Sequence, residues 1–157
     1  MGKFGAAAIA VVCAGSALAE CAPGTVELRS GAGNVMRFSA ELADSEAERE
    51  IGLMNRPKMA ASAGMLFQYQ EAKHAYFWMK NTLIPLDMIF ADATGLVTAV
   101  HSNAKPLDET PIDGGPGVTY VLEINGGLAK RLGLAVGAAM RSEVIDQAQA
   151  TWRCDAE

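Results

Sequence analysis

The sequence predicts an α+β domain, mostly β, in which about seven strands curl into a barrel-like or sandwich-like sheet accompanied by two short helices. Three observations predict it. Apolar and polar residues alternate over short segments closed by Gly, Asn or Asp turns. Only two segments carry helix signals, and they do not alternate regularly with the strands, which argues against a doubly wound sheet. The chain has 157 residues, half of them apolar and a fifth charged, which suits one ordinary globular domain.

The elements follow in order. Residues 26–29 read as a short strand and 31–34, Gly-Ala-Gly-Asn, as a hairpin turn. Over 35–42, Met36, Phe38, Ala40 and Leu42 alternate with Arg37, Ser39 and Glu41, the pattern of a half-buried strand. Ser45 and Glu48 have capping-box spacing, with Ala47, Ile51 and Met54 on one helical face and Pro57 beyond its end. Residues 65–67 form a short apolar strand and 75–80 an aromatic one. In 84–90, Ile84, Leu86, Met88 and Phe90 share one face and Asp87 takes the other. Residues 92–95 make a turn and 96–102 the returning strand. Pro106, Pro111 and Pro116, with three glycines, mark 103–117 as an exposed loop. A strand over 119–124 sets Glu123 opposite Leu122 and Ile124. Gly126 and Gly127 then open a short helix with Leu128 and Leu132 as its apolar stripe. Lys130 and Arg131 suit its last turn, and Gly133 stops it. Residues 139–145 form the final strand.

The N-terminus has its own logic. Lys3 precedes the apolar run 6–14, and 17–19 is Ala-Leu-Ala, an A-x-A cleavage site, so 1–19 reads as a signal peptide. One domain, 20–157, then begins at Glu20 and is periplasmic or secreted. Glu20 is not the small residue that lipidation of Cys21 would require. Cys13 leaves with the signal, and Cys21 and Cys154, one near each end, are expected to form a disulfide. The formal charge of −5 grows more negative once Lys3 is lost. That balance excludes general attraction to nucleic acid or to an anionic membrane face. No apolar run is long enough to read as a spanning helix.

Familiar catalytic signatures are missing: there is no G-x-S-x-G, G-x-x-x-x-G-K, H-E-x-x-H or C-x-x-C. The densest segment is 77–87, Phe-Trp-Met-Lys-Asn-Thr-Leu-Ile-Pro-Leu-Asp. Lys80 and Asp87 sit there among hydrophobes, and Glu123 sits in an apolar strand. Embedded charges need compensation. The fold is therefore expected to bring Lys80 within ion-pair reach of Asp87 or Glu123, beside Trp78, at the rim of a pocket. The same residues equally suit an ion-pair network that pins the sheet, or a ligand pocket walled by Trp78 or Tyr76. Arg49 and Arg56 either face an anion together or pair with Glu48 and Asp44. Met54, Met59, Met65, Met79, Met88 and His74 have donors suited to copper(I), but Met65, Met79 and Met88 lie in apolar strands and read as core fillers. His101 reads as structural. No metal or cofactor is assigned.

Four stretches carry a resemblance. Residues 49–56, Arg-Glu-Ile-Gly-Leu-Met-Asn-Arg, resemble the R-x-x-G-L-M-x-R of the domain-of-unknown-function family 192 (DUF192). Residues 64–67 are similar to its G-M-L-F, 77–87 to its F-W-M-K-N-T-x-I-P-L-D, and 121–127 to its V-L-E-x-x-x-G. The likeness runs from about 35 to 145. It implies a small, frequently exported, β-rich domain with no established biochemical role. The family's polar motif positions fall on Arg49, Arg56, Lys80, Asn81, Thr82, Asp87 and Glu123. With Trp78, these are the ligand-binding candidates. Three functions remain open: a module that binds a small polar or anionic molecule at this cluster, a hydrolase using Asp87 and Glu123 as its acid/base pair, and a structural or accessory protein without a ligand.

Overall fold

The computed structural model describes residues 21–156; the segment read as a signal peptide, 1–19, lies outside them. The elements are β1 (Thr25–Arg29), β2 (Val35–Ala43), α1 (Glu46–Ile51), β3 (Ala63–Phe77), β4 (Leu86–Ala91), β5 (Val97–Ala104), β6 (Ile112–Asn125), α2 (Leu128–Leu132) and β7 (Ala139–Arg141). They form one seven-stranded sheet, ordered β5-β4-β6-β3-β2-β1-β7. The sheet is mixed: β2 and β3 run parallel, joined by the crossover that carries α1, and every other pair is antiparallel. It curls into a half-barrel whose edges meet where Leu96 bridges Ala139. The expected α+β class, with a barrel-like sheet and two short helices, is the fold observed.

Local chemistry explains the ends of the elements. The turn after β1 closes when the amide of Ser30 donates to Asn34 O at 2.9 Å and that of Gly33 to Ser30 O at 2.8 Å. Ser45 caps α1 reciprocally: its hydroxyl accepts from the Glu48 amide, and Glu48 Oε2 accepts from the Ser45 amide at 3.0 Å. The helix is shorter than its apolar stripe suggests. It ends at Gly52, whose φ of 48° suits glycine, and Met54 lies beyond it. None of its residues is buried. Leu53, one residue past the cap, is the side chain that anchors this crossover.

Both faces of the sheet are covered, and that doubles the core. One core draws on all seven strands, through residues such as Leu28, Phe38, Leu66, Ile89, Val97, Leu122 and Met140. The other lies on the opposite face. There Met65, Phe67, Met88, Phe90 and Val121 from the strands meet Leu53, Met79 and Ile84 from the connections. Met65, Met79 and Met88 are thus ordinary packing residues. Strand β6 is buried on both faces over Val118–Ile124, so its alternation does not separate core from solvent.

Three expected boundaries change. The apolar strand at 65–67 and the aromatic one at 75–80 are a single 15-residue β3, continuous through the polar stretch 68–74. Residues 112–117 of the expected 103–117 loop open β6, paired with β3 through a series of register shifts, and 103–104 end β5. Glycine here serves close approach: a Cβ on Gly114 would lie 2.3 Å from the Phe90 ring. The last strand stops at Arg141, because the chain turns at once, with the Ile145 amide donating to Ser142 O.

The expected disulfide is present. Cys21 and Cys154 have Cα atoms 5.0 Å apart across a sequence separation of 133. On chain-entropy grounds a loop this long contributes up to about 5 kcal/mol. The bond fastens the C-terminal segment over β1 and β7. Trp152, buried, lies under the guanidinium groups of Arg29 and Arg141, 4.6 and 3.9 Å from its ring. Glu27 accepts from Arg37 and Arg141 beside it. Those two cations hold its carboxyl below the usual range, against the burial that raises it most.

Candidate functional site

Strand register decides which polar motif residues can meet. Glu123 lies directly across from Met65 of β3 and Met88 of β4, whereas Asp87 lies across from Ile124. Directly paired residues share a face and neighbours alternate. Asp87 and Glu123 therefore project from opposite faces of the sheet. They cannot act as one acid/base pair, and the hydrolase reading built on that pair fails.

Asp87 is fully buried and compensated by the main chain. Its Oδ1 accepts from the amides of Asn103 at 2.6 Å and Gly127 at 2.8 Å, and its Oδ2 from that of Ala129 at 2.6 Å. One carboxylate thus ties the end of β5 to the start of α2. Gly126 belongs to the same joint, since a Cβ there would lie 2.7 Å from Asn103 Oδ1 and 2.9 Å from Pro85. The shared I-P-L-D and V-L-E-x-x-x-G stretches interlock at this point.

The expected ion pair of Lys80 with Asp87 or Glu123 is not formed: no such pair exists among the described residues. The half-buried Lys80 keeps its ammonium 4.9 Å from the centroid of the Trp78 ring. Partial exposure removes the need for a carboxylate partner. Asn81 is an exposed turn residue with φ 52°, and its carbonyl accepts from the Asn55 amide at 2.8 Å. It joins the turn after α1 to the segment before β4. Arg56 forms a two-pronged pair with Glu41, with Nη2 to Oε2 at 2.8 Å. Both are exposed enough to make the pair worth under about 1 kcal/mol.

The remaining candidates come together. Arg49, Thr82, Trp78 and Glu123 line one open cavity of about 100 Å³, with Phe67, Tyr69 and Phe77 among its walls. Phe77 stands edge-to-face against Phe67, with centroids 5.2 Å apart, which stiffens the floor. Arg49 is steered by the main chain: its Nη1 donates to Asp44 O and to Gln68 O, the latter at 2.9 Å, while the guanidinium lies 5.2 Å from the Tyr69 ring. Its Nε and Nη2 have no partner among the described residues. Thr82 is buried and gives its hydroxyl to Lys80 O at 3.2 Å.

Glu123 is the unusual member. It is 4 % exposed and has no hydrogen-bond or ion-pair partner among the described residues. Burial pushes its carboxyl up to about 8, so it is mostly protonated at neutral pH. Burial likewise pushes the Tyr69 phenol up; Arg49 opposes that shift and Glu123 reinforces it. A neutral carboxyl donates one hydrogen bond and keeps its acceptor capacity. Arg49 and aromatic walls line the same cavity. The arrangement can bind a small polar group but presents no activated nucleophile.

Sequence reasoning missed Phe67 and Tyr69 as walls. Period two continued past Phe67 would have put Met65, Phe67 and Tyr69 on one face.

Fold and site define a small, mostly β domain with an acid-bearing aromatic cavity on the outer face of its sheet. The sequence profile of DUF192, described as Uncharacterized ACR, matches residues 27–142, and the chain belongs to that family. Two similar crystal structures agree on the fold. One, "a putative transcription regulator" from Sinorhizobium meliloti 1021, has 41% identity and a TM-score of 0.73, covering 78% of this chain and 95% of its own. The other, a protein of unknown function from Novosphingobium aromaticivorans DSM 12444, has 41% identity and a TM-score of 0.72, covering 74% and 83%. No curated protein matches the chain.

Proposed function

We propose that the protein is an exported binding domain that holds a small polar or anionic ligand in the Glu123 cavity. The observation that carries this reading is a nearly buried carboxyl, without a partner among the described residues, that opens only onto a cavity also lined by Arg49. A buried polar group normally finds a hydrogen bond. Leaving one without costs stability, and such costs concentrate where a ligand completes the set. The opening of the cavity and its aromatic walls fit the general anatomy of small-molecule sites. The structural relative described as a regulator offers no better reading, because a net charge of −5 gives nucleic acid no general attraction.

Export rests on the signal-like residues 1–19. Mass spectrometry of the secreted or periplasmic protein should find a chain beginning at Glu20; retention of Met1–Ala19 in that fraction refutes it. Binding is tested by NMR titration with acetate and acetamide. Saturable shifts at Arg49 and Glu123 are expected in the wild type and are lost in Glu123→Ala. Absence of saturable shifts with either probe and with longer monocarboxylates, up to ~100 mM, refutes the reading.

A further inference from the structure

The rim of the same cavity is apolar, and that narrows the ligand. Ile51, Tyr76 and Trp78 all line it, and they are 62%, 58% and 47% exposed. Scattered exposed hydrophobes need no explanation, but three large ones around one opening do. Ile51 belongs to a helix that buries none of its residues. Its exposure is therefore not a by-product of core packing. Tyr76 is held by its neighbours, stacked on the His74 ring at 4.6 Å, while His74 in turn contacts Asp113 at 2.7 Å. Trp78 is held beneath Lys80. Both rings are thus fixed at the rim.

Volume adds a second constraint. A benzene-sized guest needs a cavity of roughly 150 Å³, and this one has about 100 Å³. It admits a polar head of a few atoms; a larger ligand must leave its body on the rim. The head has a sign. Arg49 contributes free donors, and Glu123 has no cation partner among the described residues. Lys80 adds positive charge over the Trp78 ring and Lys73 over the Tyr69 ring. Among the residues that line the cavity, Glu50, which is exposed, is the other carboxylate besides Glu123. A cationic head would meet Arg49 unscreened. A carboxylate can share the proton of one acid while accepting from a guanidinium.

Resting on the binding reading above, we infer that the site takes a monocarboxylic acid with an apolar body, its head among Arg49, Thr82 and Glu123 and its body across Ile51, Tyr76 and Trp78. The complex is non-covalent and needs no co-reactant. Titrating the wild-type protein with acetate, butanoate, hexanoate, hexanol and hexylammonium tests it, by calorimetry or NMR. Each added methylene that reaches the rim should tighten binding by ~2- to 4-fold, giving on the order of 10²-fold between acetate and hexanoate. Hexanol and hexylammonium should bind at least ~10-fold more weakly than hexanoate, since they lack the anionic head. Ile51→Ser combined with Tyr76→Ser should flatten the dependence on chain length; circular dichroism confirms that the variant folds. Equal affinity for acetate and hexanoate would overturn the inference and leave the broader binding reading standing. Preference for hexylammonium would overturn it in favour of a cation site. Binding of none of the five would remove both.

Discussion

Replacing Glu123 by Gln removes an ionisation that folding opposes. In the unfolded chain this carboxyl titrates near 4.5; in the folded protein burial raises it to about 8. Below 4.5 both states hold the proton and the group is neutral to stability. Between the two values, unfolding releases a proton, so stability falls as pH rises. Above about 8 both states are ionised and the penalty is constant. The separation of ~3.5 units, at ~1.36 kcal/mol per unit, makes the full penalty ~5 kcal/mol, of which ~3 kcal/mol is already present at pH 7. Gln has nearly the shape of the protonated acid and does not titrate. Urea unfolding of both proteins between pH 4.5 and 8.5, with the disulfide intact, measures the difference directly. The variant should gain on the wild type from about pH 5 to about 8 and hold that gain above it. Its own amide brings a constant offset, so the slope and not the intercept is the readout. Parallel wild-type and variant profiles from pH 5 to 8 would refute the assignment of an acid whose titration burial raises.

Three further outcomes follow from the packing. Asp87→Asn turns an amide donor toward main-chain N–H groups that now donate to a carboxylate, and should cost ~2–4 kcal/mol; a loss under ~0.5 kcal/mol in thermal melts would contradict its role as the β5–α2 tie. Gly114→Ala places a methyl group 2.3 Å from the Phe90 ring and should cost ~1–3 kcal/mol, whereas Gly31→Ala, with nothing within 4 Å, should stay within ~0.5 kcal/mol; equal unfolding midpoints for the two would be inconsistent with the close approach. Reduction of Cys21–Cys154 should lower stability by ~2–5 kcal/mol and raise the exposure of Trp152, read by fluorescence; an unchanged urea midpoint would show that the bond constrains little.

Legibility followed the range of the interaction. The Ser45–Glu48 capping box, the 31–34 turn and the Gly133 stop are set by residues within a few positions of each other, and each is where the sequence places it. The cysteine pair was readable because only two remain after the expected cleavage. Residues 112–118 were not readable as strand. Their prolines and glycines describe a loop by composition, while the pairing with β3 that makes them a strand lies far away in the chain. Charge arguments singled out Lys80, Asp87 and Glu123 and gave them the wrong partners. Asp87 did need compensation, but amides of the β5–α2 joint provide it. Lys80 needed none, since it stays partly in solvent. For Glu123, burial on both faces of β6 comes from connections that no local period reports, and its isolation is visible only once the cavity is assembled.

The joined ends carry a mechanical consequence. With the Cα atoms of Cys21 and Cys154 only 5.0 Å apart, a pull applied across those two positions loads the sulfur–sulfur bond first, and the hydrogen-bonded strands between them feel almost nothing. Reduction transfers the load to the sheet. Complete extension then releases 133 residues, on the order of 450 Å of slack at ~3.4 Å per residue. Stretched between these positions, the oxidised protein behaves as a short rigid link, and the reduced one as a long tether held shut by its strands.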